Sequence, residues 1–226
     1  MISDLNPQKK AKAIHSMTDL IEAIKINPDL NMSEHPNYIE HCDKLKRILM
    51  SLLEFKEEII IPMNEGELYV REHVLPNGET YDFGWSIPLL EKLIKNNGGT
   101  VIRKKYKIGE VISYVDYGGL ENHRFNHALQ NTKPIYVIDY AASDLSIMID
   151  GNHRVASRFS MFKDTEMQLP GIFIPADIHI KSMATNHQRI VFKVLSNGNR
   201  IYKYLKMLSE GTKIKKPKLF NMDSFL

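Results

Sequence analysis

Asp150-Gly151-Asn152-His153-Arg154 gathers a carboxylate, a glycine, an amide, an imidazole and a guanidinium in five consecutive positions. They follow the apolar run Ile147-Met148-Ile149 and precede Val155, Ala156 and Phe159, which have helical spacing. The pattern predicts a buried strand, a tight turn and a helix. Gly151 can adopt positive φ and bring backbone N–H groups close to a ligand. The first N–H groups of the helix lack internal partners, and the helix dipole favours a phosphate or carboxylate there. Arg154 adds an always-charged planar fork suited to phosphate oxygens. His153 can donate a hydrogen bond or move a proton, and Asp150 can position a metal or a hydroxyl. The competing reading is a purely structural turn, with Asp150 capping the helix, Arg154 exposed and His153 bonded locally.

A second group lies upstream. Leu120–Leu129 reads as a helix carrying Glu121, His123 and His127. The two histidines are four apart and would share a face. With Glu121 they form a candidate metal group that lacks an identified further ligand. The alternative is exposed histidines on a connecting helix.

The elements that must hold these residues follow from periodicity. Residues 8–26 and 37–56 read as two amphipathic helices packed as a hairpin, the first ended by Asn27-Pro28. Residues 58–62 and 67–74 read as a β-hairpin around Asn64-Glu65-Gly66, followed by a Pro76-Asn77-Gly78 turn. Ser86 caps a helix that Asn96-Asn97-Gly98-Gly99 stops. Segments 101–103 and 108–114 read as β, Tyr117-Gly118-Gly119 as a loop, and 135–139, 146–149 and 170–175 as strands. Residues 186–208 form a last helix that Asn197-Gly198-Asn199 would kink or split, and the basic tail from Gly211 reads as partly loose. This divides the chain into an N-terminal helical region with a hairpin (1–99), a core (100–182), and a C-terminal helix with tail (183–226).

The 226 residues are 43% hydrophobic, enough for a folded core, and the net charge of +3 alone does not imply nucleic acid. Ten cations against the single acid Glu210 concentrate in 181–220, a candidate surface for DNA or an acidic partner. The single cysteine, Cys42, excludes an internal disulfide and a multi-thiolate zinc site. The absence of an apolar leader and of a membrane-length apolar run leads to the expectation of a cytoplasmic protein with no membrane partner.

The pattern P-I-Y-V-I-D … I-M-I-D-G-N-H-R-V-A resembles the core of the ParB/sulfiredoxin superfamily, over about residues 100–182 and most tightly over 134–159. The resemblance implies an α/β fold: a small mixed sheet flanked by helices, here with a mainly helical N-terminal extension and a C-terminal helix. It also implies nucleotide phosphates at Gly151, Asn152, His153 and Arg154. Sulfiredoxins place a nucleophilic cysteine where this chain has Asn152, so their chemistry is not expected. Thr185-Asn186-His187-Gln188-Arg189 is similar to the second motif of the partition proteins, with Thr185 replacing its acid. It adds Gln188 and Arg189 to the nucleotide-binding set. The free-serine kinases of the superfamily have an upstream catalytic glutamate, for which Glu121 is the counterpart by order along the chain. Glu121, Asp150 and His153 are then the catalytic candidates, with Mg²⁺ and a nucleoside di- or triphosphate as cofactors. The leading expectation is hydrolysis or transfer of a phosphoryl group. A ParB-like DNA nuclease or DNA-binding protein is the second. The third is a non-enzymatic module, with the 1–56 hairpin as its partner or homodimer surface.

Overall fold

The computed structural model describes residues 7–57, 60 and 67–223. Helices α1 (Pro7–Ile26) and α2 (Pro36–Ser51) pack together through Ile14, Met17, Ile21 and Cys42, Leu45, Ile48, Leu49. Ion pairs from Lys25 to Asp43 (2.7 Å) and Lys46 to Glu22 (2.5 Å) join their outer faces. α2 stops at Ser51, five residues short of the expected end. The N–H groups of Leu52 and Leu53 bond three residues back, to Leu49 and Met50, which tightens the last turn.

Strand β1 (Leu68–Val74) pairs antiparallel not with 58–62 but with β2 (Thr80–Ser86). The expected first arm lies outside the described residues except for Ile60, whose N–H donates to the Ala184 carbonyl at 3.0 Å. Tyr81, Phe83 and Trp85 alternate along β2 and are all fully buried. Ser86 closes β2 and caps α3 (Ile87–Asn96), its hydroxyl accepting from Leu89 N–H at 3.3 Å.

The larger sheet has the order β3 (Ile102–Lys107), β6 (Gln168–Ile174), β4 (Ile135–Tyr140), β5 (Leu145–Asp150). β4 and β6 run parallel; both outer pairs are antiparallel. It is the small mixed sheet flanked by helices expected for an α/β fold. Segment 108–114 is not β but the short helix α4 (Ile108–Val111) and a 3-10 turn (Ile112–Tyr114). Buried Ile108 and Val111 sit three apart, a spacing that suits a helical turn.

Side chains alternate across the sheet. Ile135, Val137, Met148 and Leu169 face a small core with Ile108, Val111 and Val155 of α6 (Asn152–Phe162). Tyr136, Ile138, Tyr140, Ile147, Ile149, Ile172 and Ile174 face the large one. There they meet α1, α2, the β1–β2 hairpin, α3, α7 (Ala176–His179) and α8 (Asn186–Ser209). One hydrophobic cluster thus crosses the boundaries placed at 99 and 182.

α8 runs unbroken through Asn197-Gly198-Asn199. Gly198 serves close packing instead: a Cβ there would lie 2.5 Å from Ile21 Cδ1 of α1. Buried Asn197 clamps Phe220, accepting its N–H at 2.7 Å and donating to its carbonyl at 2.9 Å. Arg200 donates to the Lys218 carbonyl (2.7 Å) and covers the Phe220 ring, and Met222 is buried. The tail through Asp223 is therefore docked along α8 rather than loose. Among the described residues no helix is long and apolar enough to cross a membrane.

At the centre of the large core, Trp85 Nε1–H donates to His179 Nδ1 (3.2 Å), so the Nε2–H of His179 is the donor to the Asp139 carbonyl (2.9 Å). Burial pushes His179 down from 6.5 to about 4, and does the same to His73. As pH falls, the unfolded chain takes up these protons first. Stability is complete above about 6.5 and drains away towards 4; for His179 the loss is on the order of 3 kcal/mol. Urea midpoints followed through the fluorescence of Trp85, the single tryptophan, should fall over that interval; a midpoint flat from pH 6.5 to 4 contradicts this assignment.

Candidate functional site

β5 delivers Asp150 to the start of α6. Tyr136 pairs with Asp150 but Val137 with Met148, so the register skips Ile149 in a bulge one residue before the turn. Gly151 has φ 104°, and a Cβ there would lie 2.5 Å from Ile135 Cγ2 and 2.9 Å from Ile135 Cβ. Backbone conformation and space therefore both demand glycine.

The charged residues of the turn are partly spent on each other. Arg154 Nη2 donates to Asp150 Oδ2 at 2.8 Å and to the Pro134 carbonyl at 3.0 Å. Its side chain is 9% exposed, so the exposed arginine of the structural reading is not what forms. Its Nε is buried with no hydrogen-bond partner among the described residues. Asn152 and His153 hold the preceding loop. Asn152 Oδ1 accepts the Asp116 N–H at 2.9 Å, and His153 Nε2 accepts the Glu121 N–H at 3.0 Å. Burial, then the nearby Arg124 guanidinium, hold His153 below the usual histidine range, against the pull of Glu121 and Glu67. With Nε2 accepting, the neutral ring carries its proton on Nδ1 and can offer that N–H as a donor.

Segment 120–129 is not a single helix. A 3-10 turn (Asn122–Arg124) precedes the short α5 (Phe125–Gln130). The Glu121 N–H is already committed to His153, and the Arg124 N–H bonds three residues back to the Glu121 carbonyl at 2.9 Å. His123 and His127 therefore do not stack four apart on one α-helical face. The Glu121 carboxylate lies 3.7 Å from both His123 Nε2 and Arg124 Nη1 and is about half exposed. Among the described residues no group of three or more His, Cys, Asp or Glu side chains is placed to hold a metal ion. α5 is locked to α6 by Arg158, whose guanidinium donates to the carbonyls of Ala128 (3.1 Å), Leu129 (2.9 Å) and Asn131 (2.8 Å).

Two cavities of about 250 and 200 Å³ flank the turn and share Glu67, Arg124, Asp150, Gly151 and His153. The first is closed by residues 67–70, at the start of the β1–β2 hairpin, together with Asp116 and Asn152. The second is closed by Glu91, His127, Lys133 and Arg154. Tyr136 donates to Glu91 Oε1 at 3.4 Å, and burial, with Glu91 and Asp150 nearby, pushes its hydroxyl up to about 12. Cations and carboxylates thus line the same cavities at the N-terminus of α6. The structure brings together Asp150, Gly151, Asn152 and His153 in one cavity, and Arg154 and His127 in the other. Glu121 and His123 line neither.

Gln188 and Arg189 are not brought to the turn. Gln188 is buried against β2, its Oε1 accepting the Gly84 N–H (3.1 Å) and its Nε2 donating to the Asp82 carbonyl (3.0 Å). Thr185 caps α8 through the Gln188 N–H at 3.0 Å. Arg189 donates to the Lys181 and Met183 carbonyls at 2.7 and 3.3 Å. Their second motif is spent on building the fold. Conversely, Glu67, Glu91, Asp116, Arg124 and Lys133 were not singled out from the sequence. Only Arg124 had a local signal, from its place between Glu121 and His127.

Comparison of the chain with protein-family models, with curated proteins and with solved structures yields no match.

Gly151→Ala should cost about 1–3 kcal/mol, because it adds left-handed strain to a collision with Ile135 at the start of β4. Thermal unfolding measures this; an unchanged midpoint would mean that the turn relaxes and that its geometry is not fixed by Ile135.

Proposed function

We propose that the protein binds the phosphates of a nucleotide in the cleft at the β5–α6 turn and hydrolyses or transfers a phosphoryl group there. The observation that carries this reading is the composition of the cleft. The cavities at the α6 N-terminus are lined by the cations Arg124, Lys133 and Arg154 together with the carboxylates Glu67, Glu91 and Asp150. Phosphoryl transfer is catalysed mainly by positioning and charge, and needs cations for the phosphate oxygens beside carboxylates for a metal or a nucleophile. The resemblance of the D-G-N-H-R segment to phosphate-binding turns supports the same assignment.

The residues divide by what they are free to do. Arg124 is half exposed and, among the described residues, its ion pair is a long one to Glu121, so its guanidinium is available to phosphate. The Nδ1–H of His153 adds a neutral donor. Arg154 is anchored to Asp150 and Pro134; it contributes field and shape, and its loss would leave Asp150 unpaired. Mg²⁺ that arrives with phosphates needs only one or two protein carboxylates. Glu67 and Asp150 are the candidates to hold it, and it would neutralise charge on the phosphates. Glu121 reaches the cleft through its backbone, which fixes His153, and its carboxylate orients Arg124. The DNA-acting reading draws on the cations of 181–220, several of which are spent internally: Arg189 and Arg200 on backbone carbonyls and Lys203 on Asp144.

Calorimetry with ATP, ADP, CTP and GTP in the presence of Mg²⁺, with products identified by mass, tests the proposal. Arg124→Ala should weaken the binding of the accepted nucleotide by about 1.5–3 kcal/mol, the loss of a charge-assisted hydrogen bond, without lowering thermal stability. Binding of none of the four nucleotides would sink the reading. Full affinity in Arg124→Ala would move the phosphate site elsewhere.

A further inference from the structure

A second cleft, of about 370 Å³, lies at the opposite end of β1, between α1, the β1–β2 turn and α8. Its walls are mainly apolar, from Leu20, Ile24, Leu75 and Leu195 among others, with the uncharged Asn27, Ser143, Asn199 and Tyr202 also lining it, and none of its lining residues is Asp, Glu, Lys or Arg. At its inner wall is His73, 8% exposed, with Tyr140 behind it: His73 Nδ1 and the Tyr140 hydroxyl are 2.9 Å apart. Two hydrogen placements fit that distance. If Nδ1–H donated to the hydroxyl oxygen, the hydroxyl hydrogen of Tyr140, which is 3% exposed, would have no acceptor among the described residues. If Tyr140 donates to Nδ1, its hydroxyl hydrogen is satisfied and the hydrogen left over is the ring proton on Nε2 of His73, the member of the pair that lines the cleft. Nε2 has no partner among the described residues, so it is an N–H donor at an apolar, uncharged wall.

We propose that this cleft is a binding site for a small uncharged apolar molecule carrying one carbonyl or amide oxygen, which accepts the Nε2–H of His73. The volume lies within the range of small-molecule sites, and mainly apolar walls with a few placed polar groups are their usual makeup. A charged ligand would lose its hydration with no opposite charge to meet. The site does not depend on the nucleotide reading, because it shares no lining residue with the cavities at the turn.

The test uses the full chain and prodan, an uncharged aminonaphthalene ketone whose emission shifts to the blue in apolar surroundings. Its analogue with a propyl group in place of the propionyl group serves as the control. Prodan should bind saturably at one site, about tenfold tighter than the propyl analogue, the value of one neutral hydrogen bond. His73→Phe should erase that difference while keeping affinity for the propyl analogue. Ala23→Trp, at the exposed rim, should weaken both at least tenfold. The ketone-to-propyl ratio and Ala23→Trp stand without His73→Phe if that variant does not fold. Non-saturable binding, equal affinity for the two probes, or full affinity in Ala23→Trp overturns the proposal. So does a concentration-dependent dimer whose dissociation opens the cleft to prodan, since a second copy would then be its occupant. Nucleotide calorimetry on Ala23→Trp should match the parent chain, which separates failure here from failure at the turn.

Discussion

The hydrogen-bonded relay from the Trp85 indole through His179 to the Asp139 carbonyl is the constraint on which the arrangement of the molecule rests. It joins β2, α7 and β4, three elements from distant parts of the sequence, by directional bonds inside an apolar core. Aromatic edges complete the joint: Phe83, Tyr140 and Phe192 meet one another at ring-centroid distances of 5.5–6.2 Å. Hydrophobic burial alone would leave the hairpin free to slide on the sheet. A buried imidazole with a defined donor and a defined acceptor does not, because any shift leaves a polar group unpaired. This matters at the turn, since Glu67 to Val70, at the start of the hairpin, form one wall of its cleft.

The turn divides labour in a way that residue types do not reveal. Asp150 and Arg154, the charged members of the five, neutralise each other, while the uncharged Asn152 and His153 tie down the loop that carries Asp116 and Glu121. The available positive charge comes from outside the motif, from Arg124 and Lys133. A compact polar segment can thus mark a cleft while most of its side chains build the cleft's walls.

Much of the fold was legible because burial alternates at the period of each element. α1, α3, β4, β5 and α8 fall within a few residues of where periodicity and caps put them. β2 is hidden in the sequence although Tyr81, Phe83 and Trp85 alternate, because segment 58–62 also reads as a strand and offers β1 a nearer hairpin partner. Segment 108–114 misled because β-branched residues are also what a short buried helical turn uses. Asn197-Gly198-Asn199 looked like a helix breaker because propensity is local; the contact with Ile21 and the clamp on Phe220 that hold it are not. The position of the cleft was readable from Asp150–Arg154, which line its two cavities. The opposing wall, Glu67 and Glu91, was not, since it depends on how the hairpin and α3 dock on the sheet.

The meeting of Gly198 with Ile21 has a consequence for the order of events during synthesis. α1 leaves the ribosome before one of its packing surfaces, α8, whose Gly198 lies 177 residues beyond Ile21. Until that helix emerges, Ile14, Met17 and Ile21 lack one of the surfaces that cover them. The large core is closed by contacts of long sequence separation, which are slow to form and leave apolar surface open meanwhile. Completion of folding is therefore tied to translation of α8, and nascent chains stalled before it would be natural clients for chaperones.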